Sequence, residues 1–449
     1  MQVLRGQVTQ ADWERFDYYA RRVKSFCYTH DPDSLDIAMH VYFRVAQLRS
    51  TPLLPSLRHL KCPHMSPDDF LISSICLFLT PSLKFLHFEK ITGVEDKLIG
   101  TFLHTLLVEG ARIQQVTLIG EGLTKDTLGY LGRCVCLRSL ILRGMGKHVG
   151  IQLIRSLGRL SVLERLELDL EESELMTVHD SRWNETQTTT SRKAKVTMNS
   201  GAGEGEFGFR ELTWLELVAP LSFVKSFLVQ IGTTQLRHIG FESSLEPVDR
   251  RELLACVALR WRDTVTYIRM VHIPDPHNLI PEVSMDALSP LFGLTELRHL
   301  EIESHTIEMT NMNIQDMADA PWASKIHTLR LPFVSTEMER PSISALQVLS
   351  RRCPELRYLT IPISTGDNAI LQEERMSLHR LQVLTVASSD ERLQLVPALR
   401  LARIIDRLFP FLERVCVQGE ETEGGRWAQV HAMIRMYQSV RADTDPDLE

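Results

Sequence analysis

The chain has 449 residues, 44% hydrophobic and 24% charged, a balance that suits a folded protein and excludes a largely disordered one. Its 50 basic and 57 acidic residues give a formal charge of −7, so no global positive field gathers phosphates and nucleic acid is not an expected partner. The eight cysteines form no Cys-x-x-Cys pair, and the most apolar window, Phe70–Phe88, is broken by Ser73, Ser74, Pro81 and Lys84, so reduced, mostly buried thiols and no membrane span are expected.

The chain opens without the apolar stretch of a signal peptide, which predicts an intracellular protein, cytoplasmic or nuclear. The first element is a helix: Thr9 and Asp12 have capping-box spacing, and Trp13, Phe16, Ala20 and Val23 follow at amphipathic intervals. Residues 1–30 thus read as an N-terminal capping helix and a degenerate first repeat at Val23, Phe26 and Tyr28.

From there a Leu-x-x-Leu-x-Leu triplet recurs, with aliphatic, Phe or Cys replacements. It runs Leu57/Leu60/Cys62, Leu83/Leu86/Phe88, Ile113/Val116/Leu118, Leu137/Leu140/Leu142, Leu163/Leu166/Leu168 and Leu212/Leu215/Leu217. It continues through Leu236/Ile239/Phe241, Val265/Ile268/Met270, Leu297/Leu300/Ile302, Ile326/Leu329/Leu331, Leu356/Leu359/Ile361, Leu381/Leu384/Val386 and Leu412/Val415/Val417. Isolated triplets arise by chance, so the weight falls on spacing: successive anchors lie 24 to 32 residues apart everywhere except between Leu163 and Leu212. Pro55, Pro81, Pro354 and Pro410 each stand two positions before an anchor leucine, where proline stops a helix before a strand.

Between triplets the period becomes helical. Ser66-Pro67-Asp68-Asp69 has the order of an N-cap, a first-turn proline and two acids, while Leu98, Phe102 and Leu106, and likewise Leu346, Leu349 and Cys353, fall on single helix faces. Each unit reads strand, turn, helix, turn, and none can bury its apolar edge alone. The pattern resembles the leucine-rich repeat, whose stacked units imply an α/β solenoid with a curved parallel sheet on the concave side and helices on the convex side. The array is expected over residues 31–424, with a flexible insertion at 171–207 that is rich in Thr, Ser, Gly and Glu. Gly201, Gly203 and Gly205 in that insertion lack the Gly-Lys-Ser/Thr ending of a phosphate loop, and Thr188–Lys193 is a hydroxyl-rich stretch open to phosphorylation. Trp427, Val430, Ile434 and Tyr437 predict a C-terminal capping helix over 425–442, ahead of an acidic tail, 443–449.

Strand alternation turns the triplet leucines inward and the residues between them outward, along the concave face. One column runs His59, Phe85, Gln115, Ser139, Arg165, Trp214, His238, Tyr267, His299, Thr328 and Tyr358; the next runs Lys61, His87, Thr117, Ile141, Glu167, Glu216, Gly240, Arg269, Glu301, Arg330 and Thr360. Exposed aromatics flanked by Glu and Arg suit protein recognition. The candidate partner-binding residues are Phe85, His87, Arg165, Glu167, Trp214, Glu216, His238, Tyr267, Arg269, His299, Glu301, Arg330 and Tyr358, with Trp214, His238, Tyr267 and His299 expected as near neighbours.

No His-Glu-x-x-His, Gly-x-Ser-x-Gly or Walker motif occurs, so no enzyme, catalytic residue or cofactor is expected. His299, Glu301, Glu303 and His305 alternate as metal ligands would, but strands of this length end too early to hold all four on one face, and no metal is expected.

The run Arg351-Arg352-Cys353-Pro354-Glu355-Leu356-Arg357-Tyr358-Leu359-Thr360-Ile361 resembles the cysteine-proline-leucine repeats of F-box leucine-rich-repeat proteins. The segment Asp12–Val23 is similar to the one joining the F-box to its repeats in fungal F-box-like proteins. The resemblance implies the substrate receptor of a cullin-RING ubiquitin ligase, holding a protein on its concave face. The F-box itself is not among these residues, so adaptor binding is expected only with an F-box upstream. The alternative is a free-standing repeat scaffold or regulatory protein with no ligase link.

Overall fold

A computed structural model describes residues 8–28, 39–48, 51–63, 75–144, 149–170, 207–219, 221–243, 250–272, 282–303, 306–307, 309–332, 340–364, 376–386, 395–417 and 426–444. The expected helix start at Ser66–Asp69, most of the 171–207 insertion and the last five residues lie outside them. The fold is α/β, solenoid-like, with open, all-parallel strand pairing. The array grouped by sequence as 31–424 divides into two compact units, Met1–Ala219 with Ser226–Thr233, and Pro220–Lys225 with Thr234–Glu449.

In the first unit the strands are β1 (Ser25–Cys27), β2 (His59–Cys62), β3 (Phe85–Phe88), β4 (Gln115–Ile119), β5 (Ser139–Arg143), β6 (Arg165–Asp169) and β7 (Trp214–Val218), each parallel to the next in sequence. The triplets from Leu57 to Leu217 are buried throughout, each side chain contributing about 1.5–3 kcal/mol.

A backbone seam repeats with them. The carbonyl just after the anchor, on Lys24, Arg58, Lys84, Gln114, Arg138 and Glu164, accepts two amides from the entry of the following strand at 2.8–3.0 Å. The prolines gain a sharper role than helix stopping: the amide of Leu57 donates to Leu54 at 3.0 Å and that of Leu83 to Thr80 at 3.2 Å, so Pro55 and Pro81 hold the second position of a tight turn that their fixed φ favours.

Helices Gly93–Val108, Lys125–Gly129 and Ile151–Gly158 fill the intervals between strands. On the first of these the core face is Ile99, Phe102, Leu103 and Leu106, with the expected Leu98 only half-buried. Buried Asp96 joins two of the helices, accepting from the Thr124 amide and hydroxyl at 2.9 Å each. Phe207, assigned by sequence to the insertion, is buried and stacks on Phe227 at 5.7 Å. The capping box at Thr9 and Asp12 forms as expected, with the Thr9 amide on the Asp12 carboxylate at 2.9 Å. The helix is Gln10–Ala20, and Val23 falls outside it because the chain extends into β1. A further helix, Met39–Leu48, was not foreseen.

In the second unit, β8 (His238–Ser243), β9 (Tyr267–His272), β11 (His299–Glu303), β13 (Thr328–Arg330), β14 (Tyr358–Ile361), β15 (Val383–Val386) and β16 (Arg414–Val417) pair in that order, all parallel. The short strands β10 (Glu282–Val283) and β12 (Thr306–Ile307) form a separate parallel pair. The seam recurs through Arg237, Thr266, Arg298, His327, Arg357 and Gln382, at 2.7–3.1 Å. Turns ahead of Leu356 and Leu412 close at 3.1 Å around Pro354 and Pro410.

The last helix, Arg426–Thr444, buries Trp427, Val430 and Ile434 as expected and reaches two residues past the predicted end. It covers helix Leu395–Leu408 and bonds to its strand entry: Gln438 donates to the Leu412 carbonyl at 2.9 Å, and Arg441 to the Pro410 carbonyl at 2.9 Å and to both oxygens of Asp406 at 2.9 and 3.1 Å. No helix among the described residues is long and apolar enough to cross a membrane.

Candidate functional site

The side chains between the triplet leucines leave the buried face by strand alternation, and the observed register aligns them from strand to strand. In the first unit His59, Phe85, Gln115, Ser139, Arg165 and Trp214 are consecutive partners, as are Lys61, His87, Thr117, Ile141, Glu167 and Glu216. His59 stacks flat on Phe85 at 4.2 Å, and His87 pairs with Glu89.

At the other edge of this unit Arg165 lies over the Trp214 ring at 4.3 Å, and the Trp214 indole N–H donates to Glu216 at 3.2 Å. Glu167 was expected to face outward. It is only 3% exposed, covered by the guanidinium of Arg143, with Arg165 at 3.5 Å. A carboxylate so desolvated needs opposite charge on it, and these two arginines supply it. Arg143 stands outside both columns, which take two outward positions per strand, because β5 is long enough to offer a third.

In the second unit His238, Tyr267, His299, Thr328 and Tyr358 align, and the column continues into Val383 and Arg414. The expected closeness of three of its rings is met: His238 stacks on Tyr267 at 4.1 Å, and Tyr267 meets His299 at 5.6 Å. Trp214, expected beside them, belongs to the first unit. His238 is buried at 6% exposure, contrary to its expected display, since the neighbouring ring covers it, while Tyr358 is 43% exposed. His299 shares a hydrogen with the Thr328 hydroxyl at 3.0 Å and sits edge-on to His327 at 5.8 Å. Burial, then the neighbouring His327, holds His299 below the usual histidine range, so its ring is neutral at pH 7.

The second column runs Gly240, Arg269, Glu301, Arg330 and Thr360. The Tyr267 hydroxyl donates to Glu301 at 3.1 Å, Arg330 lies 3.8 Å from Glu301 and 3.7 Å from Glu303, and Arg269 lies 3.4 Å from Glu303. This lattice of alternating charge fixes the rings from one side. Glu303, weighed by sequence as a metal ligand, is engaged by arginines, and His305 lies outside the described residues. No group of three or more His, Cys, Asp or Glu among the described residues could hold a metal ion.

The cysteines are free thiols. Burial pushes Cys62, Cys134 and Cys353 up to about 12, which makes them poor nucleophiles, while Cys27 and Cys76 are exposed, against the expectation of a mostly buried set. A shallow depression of about 440 Å³ beside Lys90, Thr92, Gly120 and Gly122 lies off both columns, next to a helix start already capped by Thr92 and Glu95. The arrangement can stack, pair charges and accept hydrogen bonds over a broad surface. No family model and no curated protein matches the chain.

Proposed function

We propose that the chain is a non-enzymatic protein-recognition scaffold of the leucine-rich-repeat type, acting as the substrate-receptor part of an F-box type ubiquitin ligase component in the cytoplasm or nucleus. The observation that carries the recognition reading is the register of outward residues: within each unit, strands far apart in sequence bring rings and opposite charges into contiguous columns on the face away from the buried leucines. Tyr, Trp and Arg are the side chains that contribute most at protein interfaces. The ligase link is carried by the resemblance of Arg351–Ile361 to the cysteine-proline-leucine repeat.

The test is affinity capture from cell extract with the full chain, wild type against Trp214→Ala and Tyr267→Ala. Recovery of specific partners falls in the variants while their thermal midpoints stay near wild type; equal recovery overturns the recognition reading. For the ligase link, an upstream-extended chain retains the ligase adaptor and this chain alone does not. Failure of the extended chain to retain it refutes that link.

A further inference from the structure

One short string recurs in the sequence: Leu-Arg-His at 57–59, 236–238 and 297–299, and Leu-Arg-Tyr at 356–358. Three of the four copies fall in the second unit, at the starts of β8, β11 and β14, which are alternate strands of its sheet. Neighbouring strands lie about 4.8 Å apart, so Arg237, Arg298 and Arg357 recur at roughly 9.6 Å. All three are exposed, and no described carboxylate lies within ion-pair distance of any of them. The equivalent positions between them and next past Arg357, Thr266, His327 and Gln382, carry no acid, and the first acid in the row, Glu413, lies two strands beyond Arg357.

The first unit shows what such an arginine does when an acid is present. Arg138 and Glu164 hold the same position on adjacent strands, and their side chains meet at 2.5 Å. The row therefore runs side by side along one edge, and a carboxylate one strand away is within a guanidinium's reach. In the second unit Thr266, His327 and Gln382 hold that place beside the three arginines.

We propose that Arg237, Arg298 and Arg357 dock an acidic segment of a partner protein, held in polyproline II conformation with a carboxylate at every third residue. This rests on the protein-recognition reading and names the chemistry of the partner. Three residues of polyproline II advance about 9.3 Å and return to the same face, matching the two-strand step. A β-strand of the same length would turn alternate acids away. The column next to the arginines carries Tyr267, His299 and Tyr358, and aromatic-lined surfaces are what polyproline segments dock on.

The experiment is fluorescence anisotropy on the full chain with a labelled peptide of about five Glu-Pro-Pro repeats, roughly 47 Å long. Comparison probes are a peptide of equal composition with its glutamates in one block, a helical peptide with glutamates seven residues apart, and oligothymidylate. The Glu-Pro-Pro peptide binds tightest, and binding weakens with salt. The Arg237→Gln/Arg298→Gln/Arg357→Gln variant loses about tenfold in affinity, whereas Arg400→Gln/Arg403→Gln/Arg435→Gln, of equal net charge, does not. No binding by the wild type, equal binding by the first variant, or tighter binding of any comparison probe overturns the proposal. If extract partners still depend on Trp214 and Tyr267 when the peptide fails, only the acidic-segment inference falls; if both fail, the recognition reading falls with it.

Discussion

The pair formed by Asp406 and Arg441 offers a direct measure of how the end of the second unit is closed. Their side chains are 9% and 20% exposed and share two hydrogen bonds, at 2.9 and 3.1 Å, while Arg441 also reaches the Pro410 carbonyl at 2.9 Å. Arg441→Ala strands a carboxylate in a largely dry site. Breaking such a pair costs about 3–5 kcal/mol when fully buried, and the partial exposure of Arg441 places the expected loss near the lower end, about 3 kcal/mol. Asp406→Asn/Arg441→Ala removes the stranded charge and recovers part of that loss, giving a coupling energy of about 2 kcal/mol in a double-mutant cycle. The assay is hydrogen exchange along helices Leu395–Leu408 and Arg426–Thr444, with urea unfolding of the full chain beside it. Because two compact units need not unfold together, local exchange is the cleaner measure. Additive single losses below about 0.5 kcal/mol would show the pair to be an ordinary surface contact and refute the reasoning.

His379 donates from Nε2 to the Cys353 carbonyl at 2.7 Å and accepts at Nδ1 from the Leu381 amide at 3.1 Å, so the fold uses the neutral ring, and burial holds it below the usual value of 6.5. A lowered folded value means its stability is present above about 6.5 and lost as pH falls through the folded value; the urea midpoint drops from pH 7.5 to 5.5, and His379→Gln flattens that slope, an unchanged slope counting against the assignment. Gly158 closes a helix, where alanine usually gains about 1 kcal/mol, yet a Cβ there would overlap the Phe207 carbonyl. Gly158→Ala is therefore destabilising by more than about 2 kcal/mol, and a melting point at or above wild type would contradict the close approach.

Much of the architecture was legible because one physical rule repeats along the chain. A leucine that recurs every 24 to 32 residues with a two-residue alternation beside it has to be a strand facing a shared core, and the helices after Thr9 and around Trp427 show in their own capping box and apolar spacing. The same alternation identified Arg269, Glu301 and Arg330 as outward-facing. Residues whose meaning comes from another coil were not legible. Glu167 looks like any surface acid until Arg143 is found across the strand, and Phe207 looks like the end of a polar insertion until Phe227 stacks on it. His379 gives no sign in sequence that it replaces a backbone partner for Leu381 and Cys353.

The sequence by itself determined the class of fold, which strand residues form the buried leucine face and the place of the first and last described helices, since these depend on local period and on the balance of apolar and polar side chains. The tertiary structure alone decided which outward residues touch, which acids are covered and which glycines carry a neighbouring backbone. The physical reason is that period fixes a face, whereas contact depends on register between coils tens of residues apart.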